Sequence, residues 1–275
     1  MSRRLITQIK YSILKTLNVP AKYLVSKYLE TDFYVPINKT EVNDIFIVGY
    51  PKSGNTWMQS LVAGIQYGIN TEYLPFSLAN ELVPDVHARK YYKRFNDVTF
   101  FKTHHLPKKE YKKVIYLIRD GRDVMTSYYF MNQNLGKNHT MKDMFIDGKG
   151  VFPSKWHEHV EQWLKNPFKA EILYVKYEDL LANPLKELVN ICDFSNISRS
   201  DSLINNVIIG NTFSKMKEKA NYYKRMGHKN WENENVSQFF RSGEQGDFVK
   251  NIPTEIINIF EKESYKILSQ FNYIQ

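Results

Sequence analysis

Residues 44–57 read Asp44-Ile45-Phe46-Ile47-Val48-Gly49-Tyr50-Pro51-Lys52-Ser53-Gly54-Asn55-Thr56-Trp57. Positions 44–49 are a short, apolar, β-branched run, the pattern of a buried strand. A turn over 50–55 follows, and from about 56 to 67 the pattern is helical. A strand, a tight turn and a helix in that order bring free backbone N–H groups and the positive end of a helix dipole to one point, a place for phosphate or sulfate. Gly54 lets the backbone approach an anion closely. Lys52 adds a full charge, Ser53 and Thr56 add hydroxyl donors, and Asn55 adds an amide. The same atoms serve as ordinary caps of a helix starting at Asn55 or Thr56, so the two roles are compatible. The usual nucleotide-binding pattern, Gly, four residues, then Gly-Lys-Ser/Thr, is absent, because the lysine here precedes the only glycine of the loop.

The same order repeats outward from this stretch. Residues 98–102 and 114–118 read as further buried strands, 121–131 as a helix, 171–176 as a strand, and 184–193 as a helix opened by Pro184. Trp156, Val160 and Trp163 mark one face of another helix. Strands alternating with helices predict an α/β fold, a single domain with a central parallel sheet flanked by helices on both faces and a P-loop-like anion site. No internal repeat, low-complexity tract or linker interrupts it. The expected division is a basic amphipathic N-terminal helix region over 1–30 and the main domain over 31–275. In the first part Leu5, Ile9, Ile13 and Leu17 alternate with Arg3, Arg4, Lys10 and Lys15 until Pro20 breaks the pattern. Such a helix docks on the domain through its apolar stripe, the favoured reading, or makes peripheral contact with an anionic membrane.

Composition narrows the classes. Of 275 residues, 43% are hydrophobic and 15% aromatic, so the chain is globular. No apolar run approaches the roughly 20 residues that cross a bilayer, and no small-residue cleavage site follows the charged start, which argues against a signal peptide. With one cysteine, Cys192, no intrachain disulfide forms, which fits the cytoplasm; Cys192 is expected as a small buried side chain in a helix. The net charge of +9 is spread along the chain without an RNA- or DNA-binding signature. No nucleic-acid partner is expected, and the surplus suits solubility or an anionic small molecule.

Further stretches carry chemistry. In Tyr116-Leu117-Ile118-Arg119-Asp120-Gly121-Arg122, continuing to Ser127, an arginine ends a strand and a serine sits two turns into the next helix, a pair able to grip a second phosphate. Phe101-Lys102-Thr103-His104-His105-Leu106-Pro107 offers a histidine whose ordinary pKa of about 6.5 suits proton transfer. Neither His104-His105 nor His157-Glu158-His159 reads as a metal site: adjacent histidines rarely face one ion, and two histidines two apart on a helix point to different faces. Tyr177-Glu178-Asp179-Leu180, the segment 211–217 with Thr212 and Phe213, and Phe240-Arg241-Ser242-Gly243-Glu244-Gln245-Gly246-Asp247-Phe248 complete the set.

Taken together and in this order, these stretches resemble the cytosolic sulfotransferases. The loop resembles that family's YPKSGTTW, with Asn55 for threonine; 101–107 resembles its KTHLP with one residue inserted; 240–248 resembles its RKGxxGDW with Ser242 for lysine and Phe248 for tryptophan. The resemblance implies 3′-phosphoadenosine 5′-phosphosulfate (PAPS) as donor, adenosine 3′,5′-bisphosphate (PAP) as product, and no metal. It implies that Lys52, Ser53, Gly54, Asn55 and Thr56 hold the 5′ end and that Arg119, Ser127, Arg241, Ser242 and Gly243 hold the 3′-phosphate. Trp57, Tyr177, Thr212 and Phe213 then lie on the adenine side. It further implies catalysis by His104 as general base with Lys52 and Lys102 stabilising charge. Counted from Lys-Thr the base is His104, and counted back from Leu-Pro it is His105; the strand sets register from its N-terminal side, which favours His104. The acceptor, a small molecule, lipid or carbohydrate with a hydroxyl or amine, is expected against 73–76, 83–95 and 131–152, with Tyr73, Phe76, Tyr91, Tyr92, Phe145 and Phe152 beside Lys90, Lys93 and Arg94. The family's dimer motif KxxxTVxxxE does not align at Lys250 and Thr254, where Glu255 and Ile259 stand, so the oligomeric state stays unknown. Two other readings compete: an ATP-dependent small-molecule kinase, with Asp179 as its only Mg²⁺ candidate, and an anion- or membrane-binding protein without catalysis.

Overall fold

In the computed structural model the described residues are 34–225 and 243–274. The expectations for residues 1–30 and for Arg241 and Ser242 lie outside them. Strands run at Val35–Pro36 (β1), Ile45–Gly49 (β2), Tyr91–Tyr92 (β3), Phe100–Thr103 (β4), Lys113–Ile118 (β5) and Glu171–Lys176 (β6). Helices run at Asn55–Tyr67 (α1), Phe76–Leu82 (α2), Gly121–Asn134 (α3), Met141–Phe145 (α4), Trp156–Lys165 (α5), Tyr177–Ala182 (α6), Pro184–Phe194 (α7), Asp201–Gly210 (α8), Phe213–Arg225 (α9), Phe248–Asn251 (α10) and Thr254–Gln270 (α11).

Four strands form a wholly parallel sheet in the order β4-β2-β5-β6, and β1 pairs with β3 as a separate antiparallel ribbon. The sheet is covered on both faces because each strand alternates its side chains. Phe46 and Val48 of β2, with Val114 and Tyr116 of β5, join the core built with Trp156, Trp163 and Phe260 of α5 and α11. Ile45, Ile47, Ile115 and Leu117 point the other way, into the core of α1, α7 and α8. The expected Trp156, Val160 and Trp163 face is buried, and so is Cys192.

Register decides where the site lies. Val48 stands opposite both Thr103 and Tyr116, Gly49 opposite Leu117, and Ile118 opposite Lys176. The loops leaving β2, β4, β5 and β6 therefore emerge at one level, at the carboxyl ends of the strands. The chain passes from β4 across β2 to β5, and such a switch point opens a crevice in a parallel sheet.

Expected and observed limits differ in instructive ways. β4 starts at Phe100 and not at 98, because Thr99 N–H is taken by the Asp44 carboxylate and its carbonyl by Ile45 N–H. The expected helix over 121–131 continues to Asn134. The α1 N-cap is Gly54, in the left-handed region with no side-chain cap, and not Asn55 or Thr56.

Candidate active site

The loop after β2 is held from below. Asn55 is buried, and its amide Nδ2 donates to Tyr50 O at 2.8 Å. Its side chain thus braces the loop, and what it offers an anion is its backbone N–H at the start of α1, a narrower role than expected. Lys52 adopts φ 73° and Gly54 φ 99°. Gly54 lies against the ring of Tyr177, where any Cβ would collide. The Ser53 hydroxyl is fully buried with no hydrogen-bond partner among the described residues.

Arg119, at the end of β5, reaches the same loop. Its Nη1 donates to Lys52 O at 3.4 Å and its Nη2 to Glu244 O at 3.2 Å. The guanidinium lies over the Tyr177 ring at 4.3 Å, a cation–π contact, and its Nε is buried without a partner among the described residues. Tyr177 meets Trp57 edge to face at 5.6 Å. Trp57 also packs on Phe76, Met216 and Ala220, so it is tied to α2 and α9. Gly243, at φ 69°, packs on the ring of Phe213, which leads α9. Thr212 Oγ1 accepts the Lys215 N–H at 3.4 Å, and Ser127 is half-buried on α3. Lys52, Gly54, Trp57, Arg119 and Tyr177 are thereby joined by direct contacts, and Phe213 and Gly243 form a second contacting pair.

Asp123, which the sequence reading passed over, closes this side. Its Oδ2 accepts Gly246 N–H at 2.8 Å and its Oδ1 accepts Phe248 N–H at 3.1 Å, pinning the 246–248 backbone to α3. Burial raises its carboxyl pKa and the two N–H groups oppose that. Arg122, beside it, is structural: it pairs with Asp120 and Glu261 at 2.6 Å each.

The histidines gather on the other side of the loop. His104 Nδ1 stands 2.6 Å from Gly49 O. A carbonyl can only accept, so Nδ1 carries the proton and Nε2 keeps its lone pair. Burial, aided by the Lys102 charge, holds the His104 imidazole well below its usual pKa, so it is neutral at pH 7. His105 Nδ1 instead meets Tyr111 OH at 2.8 Å, and burial takes its pKa down to about 4. Lys102 is paired with Asp85 at 2.9 Å. Asp85 comes from the acceptor stretch 83–95, because residues 84–86 lie beside β4: Lys102 N–H donates to Pro84 O at 2.9 Å and Val86 N–H to Lys102 O at 3.0 Å.

The aromatic acceptor wall is thinner than expected. Tyr92 and Phe145 are 1% exposed and belong to the core, and Arg94 is a bidentate partner of Asp44. An aromatic side chain has the same sequence signature in a core as in a pocket. Phe152 is 44% exposed and sits edge-on to His87 at 5.4 Å. The expected difference between the two α5 histidines holds: His159 is fully buried and His157 bonds Ser264 at 3.2 Å. Among the described residues no group of three or more His, Cys, Asp and Glu is arranged to hold a metal, and no helix is long and apolar enough to cross a membrane.

A buried orphan hydroxyl and a buried orphan guanidinium N–H each cost about 1–3 kcal/mol unless a partner supplies an acceptor. Here they flank a glycine cradle and a pair of aromatic rings, so the residues fit an anionic nucleotide. Fold and site together define an α/β enzyme with a cradle for such a nucleotide at the carboxyl ends of its strands, beside a pair of histidines. The profile of the sulfotransferase domain family matches residues 42–271, and the chain belongs to that family. It is a PAPS-dependent sulfotransferase. It is 28% identical over 256 residues to sulfotransferase 1E1 of Bos taurus, covering 86% of each chain. With sulfotransferase 1A1 of Rattus norvegicus it shares 29% over 236 residues, covering 75% of this chain and 78% of the other. Among solved structures, mouse sulfotransferase SULT7A1 complexed with PAP has a similar fold, with a TM-score of 0.61, 24% identity and coverage of 82% and 84%. Retinol dehydratase in a complex with retinol and PAP has a TM-score of 0.65, 22% identity and coverage of 84% and 82%.

Proposed function

We propose that His104 is the general base of sulfuryl transfer to a hydroxyl or amine of a small-molecule, lipid or carbohydrate acceptor. The observation that carries this is the Nδ1 contact of His104 with Gly49 O, which leaves Nε2 unprotonated and ties the ring to the residue that leads into the anion loop. His105, whose ring is engaged by Tyr111, is the weaker candidate. When bound, PAPS supplies a sulfuryl group that the acceptor oxygen or nitrogen attacks in line as PAP departs. His104 Nε2 takes the acceptor proton. Lys52 and the N–H groups at the start of α1 stabilise charge on the departing phosphate. The Lys102 ammonium has three N–H donors, so Asp85 orients it toward the sulfuryl oxygens without exhausting it. Arg119, with Ser127, Arg241, Ser242 and Gly243, holds the 3′-phosphate, and Trp57, Tyr177, Thr212 and Phe213 hold the adenine.

Residues 31–275 form the catalytic unit in this reading, residues 1–30 a basic appendage able to touch anionic membrane, and the enzyme acts in the cytoplasm. The test is transfer from labelled PAPS to 4-nitrophenol, a 3-hydroxysteroid and an amino sugar. His104→Ala is expected to lower kcat on the best of these by about 10²–10⁴ while PAP still binds by calorimetry; His105→Ala stays close to the parent. Full turnover in His104→Ala overturns the base, and binding of MgATP in preference to PAP overturns the donor site.

A further inference from the structure

The peptide that carries His104 is gripped by two other histidines, neither of which the sequence assigned a role in the reaction. On one side His104 N–H donates to His87 Nε2 at 2.9 Å. On the other, His159 Nε2 stands 3.2 Å from His104 O. Each contact settles a tautomer. A backbone N–H can only donate, so His87 Nε2 is the acceptor and its proton is on Nδ1. A backbone carbonyl can only accept, so His159 carries its proton on Nε2, and its Nδ1 takes the Tyr116 hydroxyl at 2.9 Å.

The His87 ring also lies parallel to that of His104, 16° apart with centroids 5.4 Å away, and meets His105 edge-on at 4.4 Å. Its own backbone N–H donates to Asp85 Oδ1 at 2.9 Å, while Asp85 Oδ2 holds Lys102. One carboxylate thus sets both the lysine and the histidine beside the base. His159 is completely buried and serves as scaffold, whereas His87 is exposed beside the histidine pair and Phe152.

We propose that His87 is a positioning residue for sulfuryl transfer: as the acceptor of the His104 amide and the stacking partner of its ring, it fixes the direction in which His104 Nε2 points. This rests on His104 being the base. A misplaced base slows the chemical step without altering the donor cradle, whose Gly54 and Arg119 pack on Tyr177 and whose Arg119 bonds Lys52 O and Glu244 O.

His87→Leu removes the acceptor; His87→Gln keeps an amide oxygen near the place of Nε2. With PAPS and 4-nitrophenol, His87→Leu is expected to lower kcat about 10–100-fold, with the KM for PAPS and the calorimetric affinity for PAP unchanged. His87→Gln recovers most of that loss. In a His104→Gln background, His87→Leu adds nothing. Nitrogen-15 NMR of the histidine side chains of the native chain is expected to show His87 protonated on Nδ1. If His104→Gln retains full turnover, the base assignment falls and the clamp with it. If His104→Gln is inactive but His87→Leu is fully active, or His87→Gln is as slow as His87→Leu, or His87 is protonated on Nε2, the clamp alone falls.

Discussion

In the proposed donor cradle, Gly54 is the residue on which the loop turns. Its φ of 99° belongs to a region that L side chains rarely adopt, and the Tyr177 ring fills the space a Cβ would need. Gly54→Ala is therefore doubly unfavourable, with about 1–2 kcal/mol from the backbone and a displaced ring besides. The expected result is a PAP affinity at least about tenfold weaker by calorimetry and a lower unfolding midpoint. Unaltered PAP binding would mean the loop does not approach the ligand at Gly54. Local residues of this kind were legible in the sequence, since Lys52, Ser53 and Gly54 are consecutive and their chemistry follows from a strand running into a helix. Asp85 and His87 were not legible. They reach Lys102 and His104 through backbone pairing between segments 17 residues apart, and nothing in 83–95 marks the register of that pairing.

At the scale of elements, α3 does more than carry Ser127. Asp123, in its first turn, accepts two backbone N–H groups from 246–248 and so ties the segment after Gly243 to the donor side. Asp123→Asn replaces one accepting oxygen by an N–H₂ group that faces a donor, a loss of about 1–3 kcal/mol. Faster hydrogen exchange at Gly246 and Phe248 is expected, together with PAP binding weakened about tenfold. Exchange rates equal to the parent's would show that the segment is held by other contacts. The strands β2, β5 and β6 and the helices α1, α3 and α7 matched their sequence patterns because an apolar strand or an amphipathic helix repeats its signal over many residues, whereas the helices α8, α9 and α11 went unread although they are comparably long. β1 and β3, two residues each, repeat nothing and were missed.

For the whole molecule the histidines set the response to acid. Burial lowers the pKa of His87, His104, His105, His157 and His159, to about 4 for His105 and His159. In the unfolded chain each titrates near 6.5, so below that pH the unfolded state binds protons that the folded state refuses. Stability is whole above about pH 6.5 and falls progressively toward pH 4. His159, 0% exposed, contributes about 2 kcal/mol of that loss by pH 5. Asp123 and Glu178, whose carboxyl pKa values burial raises, act in the opposite sense but are fewer. The urea midpoint is expected to drop clearly between pH 7.5 and 5.0, and a constant midpoint would contradict a buried neutral histidine cluster.

The amino-acid order alone determined the parallel α/β architecture, the tight turn between β2 and α1 and the arginine after β5, because each depends on neighbours within a dozen residues. Tertiary structure alone decided which aromatics are core and which reach the cleft, that Asn55 turns inward, and that Asp85, His87, Asp123 and His159 surround the motif residues. Those roles arise from hydrogen bonds between segments remote in sequence, and a one-dimensional pattern carries no record of which remote backbone a side chain will meet.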